Sequence, residues 1–231
     1  MKVAVLGAGS WGTALAIHLA RNGHEVGLWS RDPVRAQDMQ RNRENVRYLP
    51  GVSFEDGLVV DGERARVLDR AELVVTAVPS QSTREVMTAA RDELAAGALI
   101  CTASKGIEND TLATMDEVLR DVLPPGLHLG IVHLAGPSFA REVASGLPTA
   151  VVLAGRGEGS VHHVAEALHG PTLRVYTTDD VVGAEVGGAT KNVMAIACGM
   201  ADGIGLGLNA RAAIITRGLA EITRLAVARG G

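Results

Sequence analysis

Residues 1–16 read MKVAVLGAGSWGTALA, and this stretch decides the fold. Val3–Leu6 is a continuous apolar run of strand length. Gly7-Ala8-Gly9-Ser10-Trp11-Gly12 follows it directly, and an apolar helical pattern opens behind the last glycine. A GxGxxG between a strand and a helix has a physical purpose. Gly7 permits the turn, Gly9 lets a pyrophosphate approach the backbone, and Gly12 lets helix and strand pack closely. The helix N-terminus adds free N–H groups and the positive end of its dipole. Dinucleotide binding is the reading that follows. The same stretch superficially resembles a secretory signal, but the three glycines and His18 argue against that.

The strand signal recurs along the chain. Val26–Trp29, Leu73–Val78, Leu99–Cys101, Gly130–Leu134 and Ala150–Leu153 are further apolar runs, each followed by Gly, Ser, Thr or Pro. Unbroken Val/Leu/Ile runs predict strands buried on both faces. Helical segments lie between them. The expected class is α/β: a Rossmann-like, doubly wound, mostly parallel sheet with helices on both sides. Asp32-Pro33 reads as an N-cap followed by proline at the first helical position. Ser82–Glu85 reads as a capping box opening a helix toward Leu94, and Asp110 and Thr111 as caps of a helix through Val122. After Val175–Thr177 the strands stop. The expected organisation is a nucleotide-binding domain over 1–179 and the incomplete start of an all-helical domain over 180–231.

Composition narrows the function. The formal charge of −4 in 231 residues argues against nucleic-acid binding, and 3% aromatics leave few stacking platforms for bases. Cys101 and Cys198 read as two buried, reduced thiols, which suits a cytoplasmic protein. Val181–Leu208 is apolar but interrupted by Glu185, Lys191 and Asp202, which predicts a buried helix pair rather than a membrane span. His133 reads as a core residue, His162 and His163 as solvated, and no metal-ligand spacing appears.

Candidate site residues fall where strands end. The second strand closes on Ser30-Arg31 instead of the acid that holds a ribose 2′-hydroxyl. Ser and Arg favour a 2′-phosphate, so NADP(H) is expected to be accepted alongside or ahead of NAD(H). Ala77–Ser80 could wall the nicotinamide pocket. Lys105, after Leu99–Cys101, is placed to meet an anion. Gly136–Ala140 opens a helix whose N–H groups, with the Ser138 hydroxyl, could hold a polar substrate. Lys191 lies in an almost uncharged helical stretch, Val186–Ile196. Burial there would lower its pKa from ~10.4 and poise it as a general base.

The residues also resemble a known family. GAGSWGTALA at the start, NVRYLPG at 45–51, SKG at 104–106, GPSFAREVASGLPTA at 136–150, GGATKNVMAIACGMADGIGLGLNAR at 187–211 and ITRGLAEITRL at 215–225 resemble the bacterial-type NAD(P)-dependent glycerol-3-phosphate dehydrogenases. The resemblance implies reversible hydride transfer between dihydroxyacetone phosphate and sn-glycerol 3-phosphate, feeding glycerophospholipid synthesis. It implies cofactor contacts at Ser10, Trp11, Arg31, Tyr48, Lys105 and Ala140, and substrate contacts at Lys105, Gly136, Ser138 and Lys191. Lys191 matches the catalytic lysine. Family chains continue through a Gly-Leu-Gly-Asp and an Asn-Arg segment missing from these 231 residues. Weak or absent turnover, an exposed apolar face and self-association, up to a homodimer, are therefore expected. A β-hydroxyacid-type dehydrogenase is the nearest alternative, though that group places an asparagine where this chain has Ala195. A non-catalytic nucleotide-binding module is the other.

Overall fold

The computed structural model describes residues 1–231. The first half alternates strictly: β1 (Lys2–Leu6), α1 (Ser10–Arg21), β2 (Glu25–Trp29), α2 (Pro33–Asn42), β3 (Leu58–Asp61), α3 (Arg64–Leu68), β4 (Leu73–Thr76), α4 (Ser80–Ala90), β5 (Leu99–Thr102) and α5 (Met115–Val122). Then follow β6 (Ile131–Ala135), α6 (Ala140–Ala144), β7 (Thr149–Gly155), α7 (Glu158–Leu168), β8 (Leu173–Thr178), α8 (Val181–Gly203) and α9 (Gly207–Ala228). The eight strands form one sheet in the order β3-β2-β1-β4-β5-β6-β7-β8. Only β6 and β7 pair antiparallel. The expected α/β, mostly parallel class is the one found.

Val3, Ala4, Val5 and Leu6 have no exposed surface, because β1 is central and covered on both faces. Helix α1 buries Leu15, Ile17 and Leu19 completely, about 1.5–3 kcal/mol for each side chain. Its C-terminal end is tied to α7 by polar groups. His18 Nε2 lies 2.6 Å from the Leu168 carbonyl, and Asn22 Nδ2 donates to Ala167 O at 3.0 Å. Carbonyls in the last turn of α7, which have no partner within the helix, are thereby satisfied.

Several local expectations need correction. Strand β3 was missing from the six apolar runs, because its burial alternates: Leu58 and Val60 are buried and Val59 is exposed. Asp32 does cap α2, accepting from the N–H groups of Val34 and Arg35. Ser82, however, lies inside α4, which begins at Ser80 behind Pro79. The cap of α5 is Thr114, in a capping box with Glu117, not Asp110 or Thr111.

Helices α8 and α9 form the expected pair, but it is not buried. Only Val181, Val186 and Ala201 of α8 are out of solvent, and Cys198 is half-exposed where a buried thiol was expected. Val193, Ile196, Met200, Leu219 and Leu225 lie on the surface. This apolar exposure is the origin of the expected self-association. No helix is long and apolar enough to cross a membrane.

Candidate functional site

The doubly wound sheet reverses direction between β1 and β4, so the crevice beyond their carboxyl ends is where a ligand belongs. Gly7 has φ +116°, and a Cβ there would lie 2.7 Å from the Ala77 carbonyl oxygen. A Cβ on Gly12 would meet the Gly7 carbonyl oxygen at 1.9 Å, so helix and strand touch backbone to backbone. Gly9 is different: nothing lies within 4 Å of where its Cβ would be. It also caps α1 without a side chain, leaving first-turn N–H groups open. Trp11 Nε1 is buried and has no hydrogen-bond partner. Open space over Gly9, an uncapped helix N-terminus and an orphaned indole N–H fit a phosphate-bearing dinucleotide.

Asn45, which sequence reasoning passed over, seats the 43–54 segment on this loop. Its buried amide donates to the Ala8 carbonyl at 3.1 Å and to Thr13 Oγ1 at 2.8 Å. Its own oxygen accepts from the Tyr48 N–H at 3.2 Å, and Tyr48 is thereby held near the tip of β2. The Arg35 and Arg47 guanidiniums each lie 5.2 Å from the Tyr48 ring centroid. At the strand tip Arg31 is exposed, as a phosphate ligand should be. Ser30 is buried and already engaged. Its hydroxyl donates to Asp32 O at 3.1 Å and accepts from Arg35 Nη2 at 3.3 Å. Arg35, rather than Ser30, is therefore the second group free to face a 2′-phosphate.

The other candidates gather at the ends of β5 and β6. Ser104 Oγ donates to the Val78 carbonyl at 2.6 Å, tying the loop before Lys105 to the loop after β4. Lys105 Nζ stands 5.4 Å above the Trp11 ring, a cation–π arrangement that joins cofactor loop and anion site. Burial, and then the charge of Lys191, bring the Lys105 pKa down to about 8. Lys191 itself is half-buried rather than sunk among aliphatics, and its Nζ donates over a long 3.5 Å to the Gly136 carbonyl. Sequence reasoning expected deep burial at Lys191, which is only half-buried. Ser138 Oγ is buried without a partner. Ala140 begins the short α6 behind the exposed Phe139. A cleft of about 480 Å³ opens beside these groups, lined by Gly136, Pro137, Asp180, Gly187, Gly188 and Lys191.

The chain contains three lysines, Lys2, Lys105 and Lys191, and two of them meet here. That scarcity makes the pair easy to read by amine labelling. Lys105 is expected to react with an acylating reagent with a midpoint near pH 8, and Lys191→Ala should move that midpoint upward. An unchanged midpoint in the variant would show that the two ammonium groups do not interact.

His133 is more than a satisfied core residue. Its Nε2 is hydrogen-bonded to Asp116 Oδ1 at 3.2 Å; its Nδ1 lies 3.3 Å from Glu185 Oε1, a contact near enough for ion pairing but without hydrogen-bond alignment. Burial alone would lower the imidazole pKa, but the two carboxylates outweigh it and raise it. Burial likewise opposes ionisation of Asp116, yet His133, Arg156 and Arg120 hold its carboxyl well below the usual range. The sign for stability follows. The raised His133 pKa contributes fully below the unfolded value of ~6.5, and the contribution fades as pH rises through the folded value. The melting temperature should therefore fall from about pH 6.5 upward more steeply in the native chain than in His133→Asn. Parallel profiles would contradict the pairing.

A second groove of about 620 Å³ runs between α8 and α9, lined by Met194, Ile214, Ile222 and Leu225. Its two charged lining groups, Arg217 and Glu221, pair with each other at 3.0 Å. Thr190 is the other polar lining residue, and its hydroxyl donates to the Val186 carbonyl at 2.6 Å, so the groove is mainly apolar.

Known proteins give this geometry a context. The sequence profile of the NAD-dependent glycerol-3-phosphate dehydrogenase N-terminus matches residues 2–160, and that of the corresponding C-terminus matches 180–231. A glycerol-3-phosphate dehydrogenase (NAD(P)+) from Anaeromyxobacter sp. (strain K) is 55% identical over 230 residues, covering all of this chain and 69% of the relative. The crystal structure of glycerol-3-phosphate dehydrogenase from Coxiella burnetii superposes with a TM-score of 0.91 at 41% identity, over 99% of this chain and 69% of that one. The glycerol-3-phosphate dehydrogenase GPD1 of Saccharomyces cerevisiae superposes at 0.83 with 28% identity, over 97% and 69%. Both sequence profiles and the relatives agree: this chain belongs to the NAD(P)-dependent glycerol-3-phosphate dehydrogenase family.

Proposed function

We propose that the chain reduces dihydroxyacetone phosphate to sn-glycerol 3-phosphate, reversibly, with Lys191 as the general acid and base. The observation that carries this reading is the approach of Lys105 to α8: its Cγ lies 3.8 Å from the Cβ position of Gly188, about one turn before Lys191, while its Nζ stands 5.4 Å above the Trp11 ring. When bound, the nicotinamide supplies or accepts the hydride. Lys191 gives its Nζ proton to the carbonyl oxygen as that oxygen becomes an alkoxide, and takes it back in oxidation. The Gly136 carbonyl holds the ammonium on the cleft side by accepting from Nζ. Lys105, charged in the majority of molecules at pH 7, attracts the substrate's phosphate and steadies developing negative charge. The Ser138 hydroxyl, lacking a protein partner, is a ready donor to a substrate oxygen. Gly9, Ser10 and Trp11 would hold the pyrophosphate end of the cofactor on the turn that Gly7 and Gly12 shape, with Arg31, Tyr48 and Ala140 along the remainder. We place this activity in the cytoplasm, at the entry of glycerol phosphate into phospholipid synthesis. The test is loss of NADPH absorbance on adding dihydroxyacetone phosphate. A signal with a 2-oxoacid and none with this ketone would overturn the substrate assignment.

Cofactor choice is a separate expectation. Arg31 and Arg35 offer two guanidiniums and the β2 tip offers no free carboxylate, since Asp32 is spent on capping α2. A charge-assisted hydrogen bond contributes about 1.5–3 kcal/mol, or roughly 10- to 150-fold in affinity. NADPH should therefore bind more tightly than NADH, and Arg31→Ala with Arg35→Ala should remove the difference. Equal dissociation constants in the native chain would refute this.

A further inference from the structure

Helix α8 carries Lys191, yet little in its apolar packing says where on the sheet it should sit. Only Val181, Val186 and Ala201 of its 23 residues are buried. The residues that face the ends of β6 and β7 across the cleft are Gly183, Ala184, Gly187 and Gly188. Such a face lets backbones approach closely, but its small side chains could slide without meeting a barrier. One long side chain on this part of α8 is firmly held. The Glu185 side chain is 8% exposed, and its carboxylate reaches two other elements at once. Oε1 accepts from the backbone N–H of Asp116, in the first turn of α5, at 2.8 Å. The same oxygen lies 3.3 Å from Nδ1 of His133 in β6.

His133 is in turn fixed from the other side. Asp116 Oδ1 stands 3.2 Å from its Nε2, while Asp116 Oδ2 accepts from Arg120 Nε at 2.9 Å and Arg156 Nη1 at 2.6 Å. Lys105 borders the small adjoining cavity from the loop after β5. The imidazole is thus a fixed post in the middle of β6, gripped by α5 and α8.

The spacing gives this post its consequence. Gly136 is three residues beyond His133, about 10 Å along a strand. Lys191 is six residues beyond Glu185, about 9 Å along a helix. Helix and strand are therefore attached at two points a similar distance apart on each: Glu185 on His133, and Lys191 on Gly136. The first attachment is a buried carboxylate–imidazole contact backed by the Asp116 N–H, and the second is a single long hydrogen bond. We propose that Glu185 is a positioning residue whose carboxylate pins α8 to His133 and so sets Lys191 against Gly136 and beside Lys105. Its effect on turnover rests on the reading of Lys191 as the proton-transferring group; the pin itself does not.

The lysine scarcity supplies a readout independent of turnover. A short bis-imidoester applied to the 231-residue chain, followed by cleavage at arginine and mass spectrometry, reports the Lys105–Lys191 pair, with Lys2 as the internal reference. The native chain should give the crosslink. Glu185→Ala should lower its yield about tenfold or more, the factor expected for a lost charge-assisted bond. Glu185→Gln keeps the shape and an acceptor for the Asp116 N–H, so an intermediate yield is expected. Val186→Ala removes apolar burial from the same turn and should lower the melting temperature while leaving the crosslink in place. Should Glu185→Ala fail to fold, Glu185→Gln decides. The proposal is overturned if folded Glu185→Gln crosslinks like the native chain, if Val186→Ala loses the product as fully as Glu185→Ala, or if the native chain yields none. Failure of Lys191→Ala to change turnover would defeat the mechanism and leave this result standing.

Discussion

Gly12→Ala is expected to lower NADPH affinity at least about 100-fold and to reduce the melting temperature, because its methyl group has nowhere to go. Its Cβ would sit 1.9 Å from the Gly7 carbonyl oxygen and 3.1 Å from the Ala77 methyl, and the first neighbour is backbone. Relief requires α1 to move off β1, which opens the most buried part of the core at a cost of about 1–3 kcal/mol or more. The same shift carries the helix N-terminus away from the phosphate it should hold. Gly9→Ala is the informative contrast. No protein atom lies within 4 Å of its Cβ position, so the melting temperature should not change. The methyl group would instead fill the space where a pyrophosphate approaches, and affinity should fall alone. Nucleotide titration by Trp11 fluorescence, beside thermal unfolding, separates the two. Gly12→Ala binding NADPH like the native chain would contradict the assignment of this loop.

Lys191→Ala is expected to slow the reduction of dihydroxyacetone phosphate by about 10²- to 10⁴-fold, the range for loss of a general acid. NADPH affinity should stay within a factor of about two, since the lysine reaches toward Gly136 and not toward the glycine loop. Neutralising a cationic amine beside Lys105 should also restore some of the basicity Lys105 has lost. Loss of turnover with nucleotide affinity kept distinguishes an enzyme from a nucleotide-binding module, in which there is no turnover for the substitution to slow.

The fold was legible where burial is two-sided. Unbroken runs such as Val3–Leu6 and Leu73–Val78 announce central parallel strands, because neither face meets water. At the edge the pattern weakens: β3 shows Leu58 and Val60 inward and Val59 outward in four residues, too short an alternation to stand out. The caps show a different limit. Ser82–Glu85 and Thr114–Glu117 both satisfy the capping-box spacing, yet only the second caps a helix. Strand β4 ends at Thr76 and Pro79 turns the chain, so α4 has already begun when Ser82 is reached.

The site divides in the same way. Gly7, Gly9, Gly12, Lys105, Gly136 and Lys191 stand at strand ends or in conspicuous settings, and local sequence was enough to single them out. Arg35 was not singled out from the sequence, and only folding lays it across Ser30. Asp116, His133 and Glu185 are far apart in sequence and belong to three elements. Glu185 showed only as a charge interrupting an apolar stretch, and the same anomaly that drew notice to Lys191 could have drawn it there. An acid in an uncharged helical run needs a buried partner, but the sequence does not name the strand that brings it.

The most direct measurement is a single turnover with protein in excess over NADPH, started by dihydroxyacetone phosphate and followed at the nicotinamide absorbance, for the native chain and for Lys191→Ala. Excess protein makes even slow chemistry visible. The account predicts oxidation of the bound nucleotide by the native chain and a rate at least about 100-fold lower in the variant, at equal nucleotide occupancy. Equal rates in the two proteins would contradict it.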